Sequence, residues 1–349
     1  MGEGVGKVWN VCIVGLGYWS DVHFRGWQSV PGVNISAIVD LDSAKLKAKA
    51  DMYGYRPEQL FTDLEEAMNL VDIDVIDIVT RPDSHLELVS KAAMRGKHVL
   101  CQKPFAPTLA ECEEMVRICE EAGVTLMIAE GWRWHSHYRK LKEIADSGAL
   151  GAINFAKIVA KWFFTPTFGD PAKMTQPYFR GMERLMLYEM APHWIDAYRY
   201  LFGDPKAMNA FYTRVSPHII GDDLAVLLFH HEGMTGMLEA GWASREFAGS
   251  SFEQPAGENL MEYVWIEGSE AGLRLTADGV MELIDADRTV RRIEYEPHNL
   301  QLSHNRLHRH MIEALSESRE PETSGRRYLN VMRIIETAYE SGRRSDPIG

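Results

Sequence analysis

A glutamate and a histidine stand four residues apart, at Glu189 and His193, in a segment with helical patterning. Residues spaced i and i+4 lie on one face of a helix, so the carboxylate can orient the imidazole or raise its pKa. Imidazole titrates near neutral pH, which suits it to exchanging a proton with a hydroxyl group. An ordinary surface pair has the same spacing and contributes little. The pair is a candidate acid/base site that needs support from the rest of the chain.

A glycine loop near the start of the sequence predicts a phosphate-binding site. Gly15 and Gly17 follow an apolar run at residues 8–14, and a helical pattern at 21–30 follows Ser20. Glycine lets the backbone approach a pyrophosphate, and a helix N-terminus presents unpaired N–H groups to it. Ser20 stands at the third position of G-x-G-x-x-G, which mainly requires a small side chain. A plain glycine turn is the alternative interpretation.

Asp40 ends the second apolar run, about 20 residues beyond the glycine loop. A carboxylate at this distance can accept both ribose hydroxyls of an adenosine and repels a 2′-phosphate. Leu41 offers no cation to such a phosphate, so the pair favours NAD over NADP. Two competing interpretations are that Asp40 is a simple turn residue, or that Asp42 is the carboxylate that binds.

The elements that must position these residues alternate between strand and helix over residues 1–130. Repeated β-α units with short connections predict a parallel sheet, whose ligands bind beyond the carboxyl ends of the strands. Gly15, Asp40, Thr80 and Gln102 all follow strands at that edge, and Lys103 comes directly after Gln102. The first domain is therefore expected to bind a dinucleotide.

Residues 131–349 predict a different architecture. Successive apolar runs with few helices between them are typical of a mostly antiparallel sheet with helices on one face. Two closing helices are expected at 300–315 and 326–341, and they could pack back on the first domain. Residues 247–259 are rich in Gly, Ser and Pro and indicate a loop.

The composition restricts the class of partner and the compartment. A formal net charge of −13 argues against nucleic acid or an anionic membrane as the main partner. No apolar run approaches the roughly 18 residues of a membrane span, and the N-terminus lacks a signal-peptide pattern. The four cysteines have no metal-type spacing. Since two of them fall in or beside apolar strands, we expect buried thiols and a cytoplasmic protein.

In their order along the chain, these motifs resemble the Gfo/Idh/MocA family of NAD(P)-dependent oxidoreductases, which includes inositol, glucose and other sugar dehydrogenases. The resemblance covers nearly the whole chain, and the ordered combination is more specific than any single motif. It implies a Rossmann domain at 1–130 and a C-terminal α+β domain with an open-faced sheet at 131–349. The residues that carry it are the loop 15–20, Asp40, and the stretches 80–85, 96–99, 101–104, 189–196 and 319–325.

The resemblance also implies roles for individual residues. Lys103 would lie beside the nicotinamide and the substrate, and His193 would be the acid/base that Glu189 positions. Gln102 stands where the family usually has Glu, and Glu189 where it often has Asp. The first departure keeps hydrogen bonding but removes a charge that would stabilise the ammonium of Lys103. The implied cofactor contacts are Gly15, Gly17, Tyr18, Trp19, Asp40, Thr80, Arg81, Pro82, His85, Gln102 and Lys103.

Together these features predict an NAD(P)-dependent dehydrogenase that transfers a hydride between nicotinamide and a secondary alcohol of a sugar, cyclitol or polyol. One alternative is an enzyme that cleaves glycosidic bonds through transient oxidation by tightly held NAD. Another is a non-catalytic NAD-binding sensor, which the uncharged Gln102 keeps open. By resemblance, the uncovered face of the second sheet pairs subunits into a homodimer or homotetramer.

Four further residues are candidates for the substrate pocket. Trp132 and Arg133 follow a strand and either line the pocket or pack the domains together. Tyr178 and Arg184 precede the helix of Glu189, in a stretch that the resemblance places near the substrate. Substrate contact is therefore their candidate role. An arginine can bind a carboxylate or phosphate bidentately, although a solvated helix face is its commoner place.

His304 and His308 share a helix face at the spacing of metal ligands. Zinc sites need further ligands, and the sequence near this pair offers no frame of carboxylates or cysteines. We therefore expect no metal site.

Overall fold

A computed structural model of the chain describes residues 7–162, 164–244, 260 and 262–343. The chain divides into two compact units. Unit 1 comprises the residues up to 131 together with 301–330, and unit 2 comprises 132–300 together with the residues from 331 onward. The loop predicted at 247–259 lies outside the described residues.

Unit 1 contains a six-stranded sheet in which every neighbouring pair of strands is parallel. Its strands are β1 (Trp9–Val14), β2 (Val33–Val39), β3 (Leu60–Phe61), β4 (Val75–Ile78), β5 (His98–Gln102) and β6 (Leu126–Ala129). The order is β3-β2-β1-β4-β5-β6, the doubly wound order in which the topology switches beside β1. This confirms the predicted Rossmann architecture.

Helices follow most of these strands, and their caps have local causes. They are α1 (Ser20–Gln28), α2 (Ser43–Tyr53), α3 (Leu64–Leu70), α4 (His85–Met94) and α5 (Leu109–Glu121). Thr108 and Glu111 form a capping box at the start of α5. Asp42 caps α2 by accepting the N–H of Ala44 at 2.9 Å. Asp42 therefore has a helix-capping role, and Asp40 is the carboxylate at the strand end.

Unit 2 contains an eight-stranded sheet with the order β14-β13-β12-β11-β7-β10-β9-β8. Its strands are β7 (Ile153–Lys161), β8 (Ala207–Thr213), β9 (Leu224–His230), β10 (Thr235–Gly241), β11 (Glu262–Gly268), β12 (Ala271–Leu275), β13 (Met281–Asp285) and β14 (Val290–Ile293). The described pairs are antiparallel except β7 with β10. The predicted, mostly antiparallel sheet is confirmed.

One face of this second sheet is covered by a helix. The remaining helices of the chain are α6 (Ser136–Asp146), α7 (Thr165–Phe168), α8 (Ala191–Phe202), α9 (Leu300–Ser316) and α10 (Gly325–Arg343). The helix that covers this face is α8. Tyr198 of α8 packs on Phe229 with ring centroids 4.4 Å apart. Gly236 of β10 leaves the space that Tyr198 fills, since a Cβ there would lie 1.8 Å from its hydroxyl. None of the helices described in the chain combines the length and apolar character needed to cross a membrane.

Candidate active site

The two glycines of the loop after β1 serve different purposes. Gly15 has φ +93°, and a Cβ there would lie 2.7 Å from Thr80 Cγ2 and 2.8 Å from the backbone of Val79. Gly15 therefore allows the ends of β1 and β4 to meet. Gly17 has no atom within 4 Å of its would-be Cβ, so a ligand can approach its backbone. The Ser20 hydroxyl donates to the Gly17 carbonyl at 2.7 Å and secures the loop to the start of α1.

Asp40 is bound to the glycine loop itself. Its Oδ2 accepts the N–H of Leu16 at 2.7 Å, and its Oδ1 accepts the N–H of Asp42 at 2.9 Å. Each carboxylate oxygen keeps capacity for another donor, as two ribose hydroxyls would require. Leu41 is 91% exposed. The open backbone at Gly17 and this oriented carboxylate fit a dinucleotide such as NAD.

The turn after β4 is joined to the turn after β5 by a fully buried histidine. His85 Nδ1 lies 2.9 Å from the Phe105 carbonyl, and Nε2 lies 3.2 Å from the Thr80 carbonyl. The hydroxyls of Thr80 and Ser84 are 2.7 Å apart. His85 therefore lies beneath the sheet edge and holds its two turns together, while Arg81 is exposed beside it.

Gln102 belongs to a buried network that the sequence did not reveal. Its Oε1 accepts the N–H of Lys103 at 2.6 Å, so its Nε2 donates to His23 Nε2 at 3.0 Å. His23 must then carry its proton on Nδ1, which donates to Asp77 at 2.8 Å. Trp27 donates to the same carboxylate at 2.6 Å. The sequence signal for this network was Asp77, a charged residue within the otherwise apolar strand β4, because a buried charge requires partners.

This network gives a physical reason for glutamine at position 102. A glutamate there would offer only acceptors, so His23 would have to donate from both ring nitrogens as an imidazolium. Glutamine supplies the donor that a neutral His23 needs. Gln102 and His23 are therefore a matched pair that holds the backbone of Lys103.

The fold brings a carboxylate near His308 that the sequence around His304 and His308 does not contain. His308 Nε2 lies 4.0 Å from Asp77, a carboxylate that β4 brings from a distant part of the sequence. His308 Nδ1 donates to the His304 carbonyl at 2.6 Å, and its ring packs on Gly26. His304 packs edge-on against Trp19 of the glycine loop.

Stability is expected to fall in mild acid because of two fully buried histidines. Burial lowers the pKa of His85 below its ordinary 6.5 and lowers that of His308 further. Both rings are therefore protonated less readily in the folded chain than in the unfolded chain. Each such group costs at most about 1.4 kcal/mol per pH unit below about pH 6.5, so the free energy of unfolding falls as the pH falls.

Urea unfolding between about pH 7.5 and about pH 5.5 measures this slope. His85→Gln should make this slope shallower, whereas the exposed His230→Gln should leave it unchanged. Stability that is constant or higher at the acidic end would contradict the assignment.

In unit 2 the predicted helix of Glu189 and His193 begins as a π-turn, Met186–Met190, and becomes α-helical at Ala191. Pro192 lacks the N–H that a regular helix through this segment would use, and π-turns are frequent at functional sites. Glu189 and His193 are both buried, each 5% exposed. The buried carboxylate of Asp222 holds the turn by accepting the N–H groups of Leu185 at 3.0 Å and Leu187 at 2.9 Å.

His193 lies against a rigidly held tryptophan. Its ring stacks on Trp132 with centroids 3.9 Å apart and an interplanar angle of 18°. Trp132 donates to buried Glu262 at 2.7 Å, as do Trp194 at 2.8 Å and Tyr138 at 2.8 Å. Burial alone would raise the pKa of Glu262, but its hydrogen bonds and a nearby histidine lower it. Glu262 is therefore a carboxylate that fixes the ring beneath His193.

The two candidate arginines each face a carboxylate of their own unit. Arg133 binds Asp196 of α8 bidentately at 2.7 and 2.6 Å, and both side chains are buried. Arg184 donates to Glu336 at 2.6 Å. Tyr178 is 38% exposed. Arg133 thus anchors α8, the helix that carries His193.

The chain matches two family models that together cover most of its length. Residues 9–130 match the oxidoreductase family with an NAD-binding Rossmann fold, and residues 138–270 match the GFO/IDH/MocA C-terminal domain. The chain therefore belongs to the Gfo/Idh/MocA oxidoreductases, which confirms the family that its motifs indicated.

Individual relatives are similar over nearly the whole chain. D-apiose dehydrogenase from Paraburkholderia graminis is 33% identical over 97% of this chain and 88% of its own length. D-apiose dehydrogenase from Rhizobium rhizogenes is 31% identical over 94% of each chain. A crystal structure of an Agrobacterium radiobacter oxidoreductase in complex with NAD+, L-tartaric acid and magnesium superposes with a TM-score of 0.88, at 28% identity and 97% coverage of each chain.

Proposed function

We propose that the protein is an NAD-dependent dehydrogenase that oxidises a CH–OH group of a sugar or related polyol. The observation that carries this proposal is the full-length similarity to two relatives named D-apiose dehydrogenase. D-apiose is accordingly the first sugar to test. The oriented Asp40, which favours NAD, and the buried His193 support the proposal from within the structure.

Each proposed catalytic residue has a separate task. His193 accepts the hydroxyl proton at a ring nitrogen, and its stacking on Trp132 holds the plane of the ring. The Lys103 ammonium stabilises the negative charge that develops on the oxygen. Glu189 positions His193. Bound NAD supplies the hydride acceptor.

We assign the remaining candidates to binding or support. Gln102 and His85 act from beneath the sheet edge, because both are buried and hydrogen-bonded there. Tyr178 and Arg184 remain candidates for substrate contact, and Arg133 supports α8. The residues proposed to surround NAD are Gly15, Gly17, Tyr18, Trp19, Asp40, Thr80, Arg81 and Pro82.

Incubation with NAD or NADP and a panel of sugars and polyols, D-apiose included, tests the activity through absorbance of the reduced nicotinamide. The expected result is NADH formation with a sugar and NAD. Products of glycoside cleavage without NADH would instead favour transient oxidation. NAD binding without turnover of any member would favour the sensor. His193→Ala is the negative control for contaminating dehydrogenases.

Replacing Asp40 by serine and Leu41 by arginine is expected to shift cofactor preference towards NADP. The double substitution removes the carboxylate that repels a 2′-phosphate and adds a cation at a fully accessible position. The ratio of kcat/KM for NADP to that for NAD should rise about 100-fold or more. Leu41→Arg alone should shift it far less, because Asp40 stays. An unchanged preference in the double variant would remove Asp40 from the ribose role.

We propose that the half-exposed face of the second sheet pairs subunits. Leu228 and Met237 lie on this face in the adjacent strands β9 and β10, and Trp265 of β11 lies on it beyond Lys157 of β7, in the same register. Large apolar side chains grouped on an exposed face are typical of a contact surface. The expected state is a homodimer or homotetramer.

Met237→Asp should weaken this association by about 100-fold or more, because the charge would be buried without a partner. Light scattering across a concentration series measures the effect. Leu70→Asp is the matched control, at an exposed apolar position of unit 1. A monomeric parent protein at micromolar concentration would contradict the proposal.

A cytoplasmic location is proposed from the thiols. All four cysteines are buried, and burial raises the pKa of Cys119 to about 12. Protonated, inaccessible thiols suit a reducing compartment.

A further inference from the structure

We propose that His135, His137 and His298 bind a divalent transition-metal ion, Zn²⁺ in the first instance, within unit 2. His135 is the N-cap of α6, His137 lies in its first turn, and His298 precedes α9. One ring nitrogen from each residue lies within 4.8 Å of the others. Two of the three rings are buried and the third is half-buried.

The spacing of the rings already matches that of a tetrahedral site. The centroids are 5.2 Å apart for His135 and His137, 4.5 Å for His135 and His298, and 5.9 Å for His137 and His298. With Zn–N bonds of about 2.0–2.1 Å, each centroid lies about 3 Å from the ion, so centroids are about 5 Å apart. Nitrogens of a tetrahedral site are about 3.3 Å apart, so the three side chains would have to turn their nitrogens inward to bind a common ion.

Two ring nitrogens of this cluster are in need of a partner. Nδ1 of His137 and Nδ1 of His298 have no hydrogen-bond partner among the described residues. A buried polar atom without a partner costs about 1–3 kcal/mol, and a metal ion would satisfy both nitrogens. Histidine pairs and triplets that keep neutral rings are the common ligand set for Zn²⁺.

A buried carboxylate stands behind one of the ligands. Glu262 Oε2 lies 3.5 Å from His137 Nε2. If His137 ligates through Nδ1, its Nε2–H faces Glu262, which is the carboxylate–histidine–metal arrangement of many zinc sites. The indole of Trp132 and the hydroxyl of Tyr138 orient Glu262 for this role.

The second group of possible metal ligands, in unit 1, is more fully hydrogen-bonded. His23, Asp77 and His308 lie equally close together. Asp77 already accepts from His23 at 2.8 Å and from Trp27 at 2.6 Å, and Gln102 occupies His23 Nε2 at 3.0 Å. Only His308 Nε2 of that cluster lacks a hydrogen-bond partner among the described residues, whereas His137 and His298 both offer unpartnered nitrogens in unit 2.

Three imidazoles favour Zn²⁺, Co²⁺ or Ni²⁺ and disfavour Mg²⁺, which prefers oxygen ligands. Untagged, chelator-treated protein is therefore titrated with ZnCl₂ and, separately, with MgCl₂ by calorimetry. One equivalent of Zn²⁺ and no comparable Mg²⁺ binding are expected. Co²⁺ should give the visible absorption of a low-coordinate nitrogen site. No saturable Zn²⁺ binding at micromolar concentration would overturn the proposal.

His298→Ala tests the site with little risk to the fold, because His298 lies outside helices and strands. The affinity for Zn²⁺ should fall by more than about 100-fold, because loss of a residue that only hydrogen-bonds to a ligand already costs up to about 100-fold. His298→Cys should keep Zn²⁺ within about 10-fold, since thiolate is also a zinc ligand, whereas His298→Asn should not.

Exposed His230→Ala is the matched control and should bind as the parent does. Circular dichroism and NAD affinity establish that each variant is folded. If His298→Ala and His298→Asn bind Zn²⁺ as tightly as the parent, the ion binds elsewhere and the assignment fails.

Discussion

Replacing Lys103 by methionine is expected to lower kcat for the sugar substrate by about 10²–10³-fold, the range for loss of a single donor to a developing oxyanion. Methionine keeps an unbranched apolar stem and removes only the ammonium. The backbone of Lys103 is held through its N–H by Gln102, so the substitution should leave the turn in place. NAD affinity, measured by fluorescence titration, should change little.

The matched control is Lys91→Met on α4, where the half-buried lysine pairs with Glu87 at 2.6 Å. Its kcat should equal that of the parent. With the chemical step slowed, a substrate deuterated at the reacting carbon should show a larger isotope effect in Lys103→Met than in the parent. Full turnover by Lys103→Met would remove Lys103 from the mechanism.

The dinucleotide half of the site was predictable because it depends on local sequence. Gly15 and Gly17 follow a buried strand and open a helix, and Asp40 ends the next strand. Each feature is set by a turn, a cap or a strand end. The parallel sheet then brings these ends to one edge, so the positions followed from topology alone.

The buried network could not be predicted because its members are far apart in sequence. His23 and Asp77 are 54 residues apart, and His23 and Gln102 are 79 apart. From the sequence alone, Gln102 is an uncharged residue where the family usually has Glu, which kept the sensor alternative open. The structure shows it as the donor that a neutral His23 requires, so the missing charge no longer argues for a sensor.

Side-chain partners likewise escaped prediction in unit 2. Periodicity indicated a helix through Glu189 and His193, but it does not distinguish a π-turn from an α-turn. Arg133 was a candidate for the substrate, and its bidentate partner Asp196 lies 63 residues away. The ligand set of the proposed metal site joins His135 and His137 to His298, a residue from a different segment.

Replacing Asp77 by asparagine is expected to destabilise unit 1 by about 3 kcal/mol or more. The carboxylate accepts from both His23 and Trp27 in a fully buried position. Both donors reach Oδ2, and His23 Nδ1 also lies 3.1 Å from Oδ1, so an asparagine whose oxygen replaces Oδ2 would turn its NH₂ group towards a donor. That NH₂ group would then be buried without an acceptor, and the negative charge that strengthens both hydrogen bonds would be lost.

Asp77→Asn should also lower activity, because it changes the hydrogen bonding of His23. If His23 moves its proton to Nε2, it can no longer accept from Gln102, and the group that holds Lys103 is released. We therefore expect kcat to fall together with stability, while Asp40 and the glycine loop continue to bind NAD. Urea unfolding and steady-state kinetics measure the two effects on the same preparation.

Asp74→Asn is the matched control. Asp74 precedes the same strand, accepts the N–H of Asn10 at 2.8 Å and pairs with exposed Lys7 at 2.8 Å. Its loss should cost at most about 1 kcal/mol, since solvent screens the pair and asparagine keeps an acceptor. Equal stability for Asp77→Asn and Asp74→Asn would show that the network adds nothing. A stable Asp77→Asn variant with lowered kcat would instead show that the network acts on Lys103 alone, because the two measurements separate folding from the placement of its ammonium.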